Sequence, residues 1–306
     1  MATTTVGSPR RNWVETVSSP IRGLGRGLLR ELQFAMATPS GRIGLPILVI
    51  HVIIATVGPL LAPYPANEFH LADRFSGPTG EYWLGTDEFG RDIFSRVMSG
   101  ATSIIGVSAA GTALGIILGT AIGLSSGYAG GKVDEIVMRV MDGLLSFPSL
   151  LLALLVLTTL GPEHINIVLT IGVVFMPRVA RIMRSATLSI KTMEFVQSAR
   201  LRGEPAYYII FREILPNTMP VLTVETSVRL SYAILLASSL GFLGLGVQPP
   251  SPDWGLMISE GRSHIAIAPM IVLAPSVAVA SLVVGVNLLA EGLREARELP
   301  KGERVP

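Results

Sequence analysis

Two short runs in this 306-residue chain have the spacing of a catalytic or nucleotide-binding site, and neither carries the chemistry through. Gly123-Leu124-Ser125-Ser126-Gly127 matches G-x-S-x-G, the turn that exposes a nucleophilic serine between a strand and a helix. Here it closes an apolar helical stretch with no strand before it, and small residues at a helix contact explain the pattern. A serine hydrolase also needs a base, and His51 is the single histidine that a neighbouring span could bring to that depth. Gly130-Gly131-Lys132 has the look of a phosphate loop. Val133 replaces the required Ser or Thr, however, and Ser126 takes the first glycine position, so no ATP site is expected in this chain. His51, His70, His164 and His264 have no metal-ligand spacing, and with no cysteine there is no thiolate site, disulfide or cysteine nucleophile. No catalytic residue, metal site or nucleic-acid role is expected.

The remaining candidates are charges inside apolar sequence. Glu225 and Arg229 are four residues apart, so they share a helix face and can form an ion pair that lowers the cost of holding either in a membrane. An intramembrane charge is a functional candidate by default, and charged peptide termini would match it; an internal structural pair is the rival reading. Asp142 is expected near Arg139 or Arg178 as a structural group.

The elements that position these residues follow from composition. The chain is 49% hydrophobic and 15% charged with mean hydropathy +0.56, where a soluble domain carries about 25% charge. A span needs roughly 20 mostly apolar residues. Six segments qualify: Ile43 to Leu61, Thr102 to Leu124, Ile136 to Leu160, Ile165 to Met183, Met219 to Leu240, and Met270 to Ala290. The predicted fold class is therefore an all-α integral membrane protein with six transmembrane helices. Net charge is only +2, but its distribution is lopsided. Arg74, Arg91, Arg96 and Arg262 lie in one set of connections and Arg229 lies within a span; all the other lysines and arginines fall on the opposite side, which is therefore cytoplasmic together with both termini. Residues 1–42, with Arg10, Arg11, Arg22, Arg26 and Arg30, read as an uncleaved cytoplasmic segment. Gly111, Gly115, Gly119, Gly123 and Gly127 form a stripe along the second span that lets another helix approach closely.

Two outer segments, about 62–101 and 241–269, are long enough for external structure. In the first, Thr86 or Asp87 is expected to cap a short helix running to about Ser99 along the outer surface. Glu68, Asp73, Glu81, Asp87, Glu88 and Asp92 make it acidic enough to steer a partner, or simply solvated. In the second, the stiff run Gln248-Pro249-Pro250-Ser251-Pro252-Asp253-Trp254 reads as a plug or docking ledge. On the inner side, Glu194 to Asn217 parses as helix, break, helix, with Gly203 ending the first and Pro205 in the first turn of the second.

This inner segment resembles the E-A-A-x-x-x-G-x9-I-x-L-P loop of ABC importer permeases, which in that family inserts a coupling helix into a groove of the ATPase subunit. Gly203 and Leu215-Pro216 fall where the pattern has them. Its E-A-A triplet corresponds to Gln197, Ser198 and Ala199, of which the last is identical, and Glu213 stands where the pattern is apolar. Trp83-Leu84-Gly85-Thr86-Asp87-Glu88-Phe89-Gly90-Arg91-Asp92-Ile93-Phe94-Ser95-Arg96 is similar to the external signature of the dipeptide and oligopeptide permeases, C-type subunit. So are Ser146-Phe147-Pro148-Ser149, the run from Leu240 to Gly255 that includes Gln248, Pro249, Pro250 and Trp254, and Asn287 to Glu295. The resemblance covers about residues 43–298 and implies type I ABC importer permease architecture in a bacterial plasma membrane. With the spans above, the chain divides into a cytoplasmic 1–42 segment, a first helix with external loop and short amphipathic helix (43–101), a transporter domain of five helices (102–291) with a coupling loop at about 185–218 and an external loop at about 241–269, and a cytoplasmic tail (292–306). It implies a second permease subunit, two ATPase subunits that hold the ATP and Mg, and an extracytoplasmic binding protein. Glu194, Gln197, Ser198, Ala199, Arg200, Gly203, Leu215 and Pro216 would form the ATPase-coupling loop. The alternatives are a secondary transporter, for which no internal repeat is found, and the same architecture carrying nickel chelates or another small solute.

Overall fold

The computed structural model describes residues 36–298; the basic segment up to residue 35 and the tail from 299 lie outside the described residues. Helix α1 (Pro39–Leu61) starts where Thr38 accepts a hydrogen bond from the Gly41 amide. Pro39 takes the first turn, which has no need of its missing N–H. Helix α2 (Ile93–Ala129) is 37 residues long and is capped by Asp92, whose carboxylate accepts from the Ser95 amide at 2.8 Å. At 1.5 Å per residue it is about 55 Å long, well beyond a hydrocarbon core of about 30 Å. The surface helix expected up to Ser99 and the second span expected from Thr102 are thus one element, and the cap is Asp92 and not Thr86 or Asp87. Nothing between Ser99 and Thr102 breaks the helix: Gly100 is kept by contact, since a Cβ there would lie 2.7 Å from the Trp254 ring.

The third predicted span is two helices. Helix α3 (Gly131–Leu145) and helix α4 (Ser149–Leu160) meet at an 87° bend. The residue before a proline is pushed out of helical geometry, and Phe147 precedes Pro148. The Ser146 hydroxyl bonds back to the Gly143 carbonyl at 2.6 Å and closes α3. Helix α5 (His164–Ile190) returns through the bundle, followed by α6 (Glu194–Leu201) and α7 (Ala206–Phe242). Residues Ile209–Ile214 of α7 form a π-type turn just ahead of Pro216, where a proline ring and missing donor cannot be taken up by a regular helix. The second arm of the inner segment is therefore continuous with the fifth span, and Pro205 caps it from one position outside. Helix α8 (Trp254–Gly261), a short element of the second outer segment, and α9 (Met270–Glu298) complete the chain. Among the described residues, five helices are long and apolar enough to cross a membrane, and the bent α3–α4 pair, counted as one span, makes six.

The glycine stripe does what its spacing predicts. Helices α2 and α5 run parallel, with Gly111 on Ile171, Gly115 on Phe175, Gly119 on Val179, Gly123 on Met183 and Gly127 on Thr187, a second row spaced by four. A Cβ at Gly119 would sit 2.6 Å from that of Val179. Helices α1 and α9 pack antiparallel through Gly44, Gly285 and Gly292, and His51 meets the Ser281 hydroxyl at 3.1 Å. One core cluster, including Ile104, Leu157, Ile171 and Trp254, fills the half of the bundle near α8; another, including Val179, Met183, Val196 and Ala199, fills the half near α6.

Candidate functional site

At the α6 pole, the connection from α5 to α7 is a firm body. Helix α6 ends in a paired set of backbone bonds, Gly203 N–H to the Arg200 carbonyl at 2.9 Å and Glu204 N–H to the Ala199 carbonyl at 3.2 Å. That closure requires a left-handed residue, and Gly203 has φ +77°. Val196 and Ala199 are wholly buried against Val179, Met183, Ile209 and Ile214. The opposite side is open: Leu201 is 90% exposed, and Tyr207 and Phe211 are exposed beside it. Glu194, Ser198 and Arg200 face outward, while the Gln197 amide donates to the Lys191 carbonyl at 3.0 Å. Leu215 packs at the edge of the inner cluster and Pro216 is exposed. Glu213, at the position where the loop pattern is apolar, lies 4.0 Å from Arg202.

Two contacts beyond the apolar packing tie this body to α2, and a third joins α5 to α3 beside it. The Lys191 ammonium donates to the Gly127 carbonyl at 2.7 Å. Arg200 stacks on Tyr128 at 4.9 Å, and Arg184 on α5 grips Asp134 on α3 through Nε at 2.6 Å. Lys191, expected only as a marker of sidedness, and Arg200, expected in the coupling loop, thus join the loop to α2. Asp142 pairs with Arg181, one turn beyond the expected Arg178 and away from Arg139, which pairs with Glu135 at 3.2 Å.

Glu225 and Arg229 do form a pair inside the bundle, with Nε 2.7 Å from Oε1, and both residues are more than nine-tenths buried. Arg229 also lies 5.1 Å from the centroid of Tyr232 and 5.9 Å from that of Phe175. With Arg178 it lines a cavity of about 440 Å³ between α4, α5 and α7. Arg178, expected on the cytoplasmic side as a partner for Asp142, instead lines this cavity.

At the α8 pole, the acidic outer loop folds inward on itself. Asp87 is 1% exposed; its carboxylate accepts from the amides of Phe89 and Arg91 at 2.9 and 3.0 Å, from Arg91 Nε at 2.6 Å, and from Arg96. Glu260 of α8 approaches Arg91 at 3.5 Å and Arg96 at 3.6 Å, so the two outer segments share one ionic cluster. Asp87 and Asp92 are accordingly internal and do not belong to the expected acidic surface, whereas Glu68, Asp73 and Glu81 stand exposed as expected. Gly85 (φ +81°) and Gly90 (φ +75°) lie against the carbonyls of Ser76 and His70, with no room for a side chain. The Thr86 hydroxyl accepts from the Ser76 amide at 2.9 Å. Trp254 is buried and donates to the Val97 carbonyl of α2 at 2.9 Å. Asp253 caps α8 through the Leu256 amide at 2.8 Å. Burial pushes its carboxyl up to about 6, although the amides of Leu256, Gly255 and Val247 favour its charge. Burial and a hydrogen bond to Asp73 push the Tyr82 hydroxyl up to about 12. Gln248, Pro249 and Pro250 stand exposed at the rim, the Gln248 amide donating to the Gly244 and Gly246 carbonyls.

A bundle of six spans with a firm loop at one pole, a folded shelf at the other and a polar cleft between them has the architecture of an ABC importer permease. Residues 111–296 match the family described as binding-protein-dependent transport system inner membrane component, and the chain belongs to that family. It is a multi-pass inner-membrane transport subunit of the kind that works with ATPase and substrate-binding partners. It is 38% identical over 283 residues to the glutathione transport system permease protein GsiD of Pectobacterium atrosepticum, covering 92% of each chain. It is 39% identical over 254 residues to the dipeptide transport system permease protein DppC of Alkalihalophilus pseudofirmus, covering 83% of this chain and 84% of that one. The corresponding glutathione permease of Escherichia coli O157:H7 is 38% identical over 249 residues, 81% of this chain and 82% of its own.

Proposed function

We infer that this chain is one half of the translocation path of an ATP-driven importer of dipeptides and related short peptides. The observation that carries the reading is the α6 body: buried on its inner face in one cluster with α2, α5 and α7, and presenting Leu201, Tyr207 and Phe211 outward. An exposed apolar face on a closed helix-turn is suited to a groove in a second protein. The docked protein is an ATPase subunit, two of which bind the ATP and Mg; this chain does no hydrolysis of its own. A second permease completes the path, and an extracytoplasmic binding protein delivers substrate to the α8 pole. Both termini and the α6 pole face the cytoplasm, in line with the side on which lysine and arginine accumulate. The dipeptide and glutathione names of its relatives support a short peptide as cargo.

The mechanism follows from stiffness. Closure of the ATPase pair displaces α6 as a unit, and Lys191, Arg200 and the buried Val196 and Ala199 pass that displacement to α2, α5 and α7. The test is purification of tagged chain from native membranes in mild detergent, followed by identification of the co-purifying subunits and reconstitution. Recovery of a second permease and two ATPase-type chains, with ATP-driven uptake, is expected. Ala199→Trp should insert normally and lose uptake, because Ala199 is wholly buried and a large ring has no place there. Recovery of the chain alone, with uptake driven by an ion gradient, would replace the reading with secondary transport.

A further inference from the structure

The cleft between α4, α5 and α7 carries an uncompensated positive charge. Arg178 and Arg229 both line it, whereas a single carboxylate, Glu225, lies beside Arg229. Arg178 is exposed, lines the same cleft as Arg229, and has no ion pair of its own among the described residues. Much of the remaining wall is apolar, from Leu144, Phe147, Val174 and Leu235. Arg178, counted with the cytoplasmic charges, shares this cleft with Arg229 of the fifth span, and a cation among apolar neighbours there is costly unless water or an anion meets it. The Glu225–Arg229 pair is itself incomplete. Nε and Oε1 are 2.7 Å apart and buried, yet neither atom has a hydrogen-bond partner in acceptable geometry.

We propose that this cleft is a carboxylate-binding station for the cargo, in which Arg178 receives the C-terminal carboxylate of a translocating peptide and Arg229 shares it. The proposal rests on the peptide-importer reading above. One carboxylate brings the three charges to balance, and the planar guanidinium fork suits a carboxylate by two parallel hydrogen bonds. The rings of Tyr232 and Phe175 beside Arg229 confine its guanidinium. Glu225 is the internal competitor: it keeps Arg229 from holding the cargo tightly, which suits a site that must release what it binds. A free ammonium group finds no counterpart here, because Glu225 is taken up by Arg229 and is not part of the cleft wall.

The absence of cysteine makes the charge measurable. Ser149→Cys, exposed on the cleft wall, places one reporter thiol on this chain within the full importer complex. An anionic methanethiosulfonate should label it several-fold faster than a cationic one, with the preference lost on adding Arg178→Gln and kept with Arg178→Lys. Millimolar dialanine should slow labelling several-fold, dialanine amide should not, and Arg178→Gln should abolish the protection. Equal rates for the two reagents, equal protection by the amide, or protection that survives Arg178→Gln would overturn the proposal. So would labelling slowed by phosphatidylglycerol relative to phosphatidylcholine nanodiscs with no added effect of dialanine, which would assign the cation to a lipid headgroup. Lack of ATP-driven uptake by the unmodified complex in liposomes would count against the importer reading instead, since the labelling ratio reports the cleft independently of transport.

Discussion

The two poles of this bundle are held by different forces. At the α6 pole, Val196, Ala199, Ile209 and Ile214 are buried side by side, and the loop's own salt bridges, Arg202 to Glu204 and Glu213, are long and open to solvent, with a tight pair, Arg184 to Asp134, lying between α5 and α3 beside it. At the α8 pole the reverse holds: Asp87, Arg91, Arg96 and Glu260 form a cluster whose core is shut off from water, and Trp254 clamps α8 to α2. Apolar contact is non-directional and lets packed surfaces slide or tilt together, whereas a buried ionic cluster tolerates only one geometry. The difference suits a lever at one end and a fixed shelf at the other.

The comparison can be broken most severely at the shelf. Arg96→Met removes one cation from the buried carboxylate of Asp87 and from the half-buried one of Glu260, and loss of about 3–5 kcal/mol is expected because Asp87 stays buried. Thermal unfolding of the detergent-solubilised complex would show it; a stability within error of the parent would mean that the cluster is hydrated. Next in size, Gly119→Leu should cost about 1–3 kcal/mol by forcing α2 from Val179, read as a lower unfolding temperature with membrane insertion retained.

A smaller effect sharpens the contrast at the lever. The space around Gly203 is empty, so Gly203→Ala should cost only about 1 kcal/mol from its positive φ, with Gly203→Asn milder. A much larger loss would show that something packs there in the complex. The smallest effect lies in pH. The Asp253 carboxyl is raised in the folded protein from 3.8 to about 6, so the folded state holds its proton more tightly. This group's contribution is therefore greatest at low pH and declines as pH rises from about 4 to about 6. Hydrogen exchange of residues 245–262 in the parent and in Asp253→Asn should diverge in that interval alone; parallel profiles would show that Asp253 is hydrated.

Where a local rule governs, the sequence predicted the structure closely. Apolar length located the spans, and glycine at every fourth position of α2 announced a tight partner, because both are periodic properties of one helix. Gly203 announced the end of α6 for a similarly local reason, its freedom at positive φ. The bend at Phe147–Pro148 was also written in the chain, since a residue preceding proline resists helix, but the apolar content on either side concealed it. Asp92 lost its role as cap to Thr86 and Asp87 in the reading because all three are good capping types, and only the packing of Gly85 and Gly90 decides among them.

Composition and periodicity by themselves determined that this chain is a membrane bundle, how often it crosses, and which segment forms a closed turn at one pole. Tertiary structure alone decided which charges meet. Arg91 and Arg96 of the first outer segment find Glu260 of the second, Lys191 finds a carbonyl of α2, and Arg178 turns into the cleft while Arg181 takes Asp142. The physical reason is that hydrophobic burial is set by residue type and helical period, whereas the energy of a charge depends on what lies within a few ångströms of it, and a single sequence does not encode that distance directly.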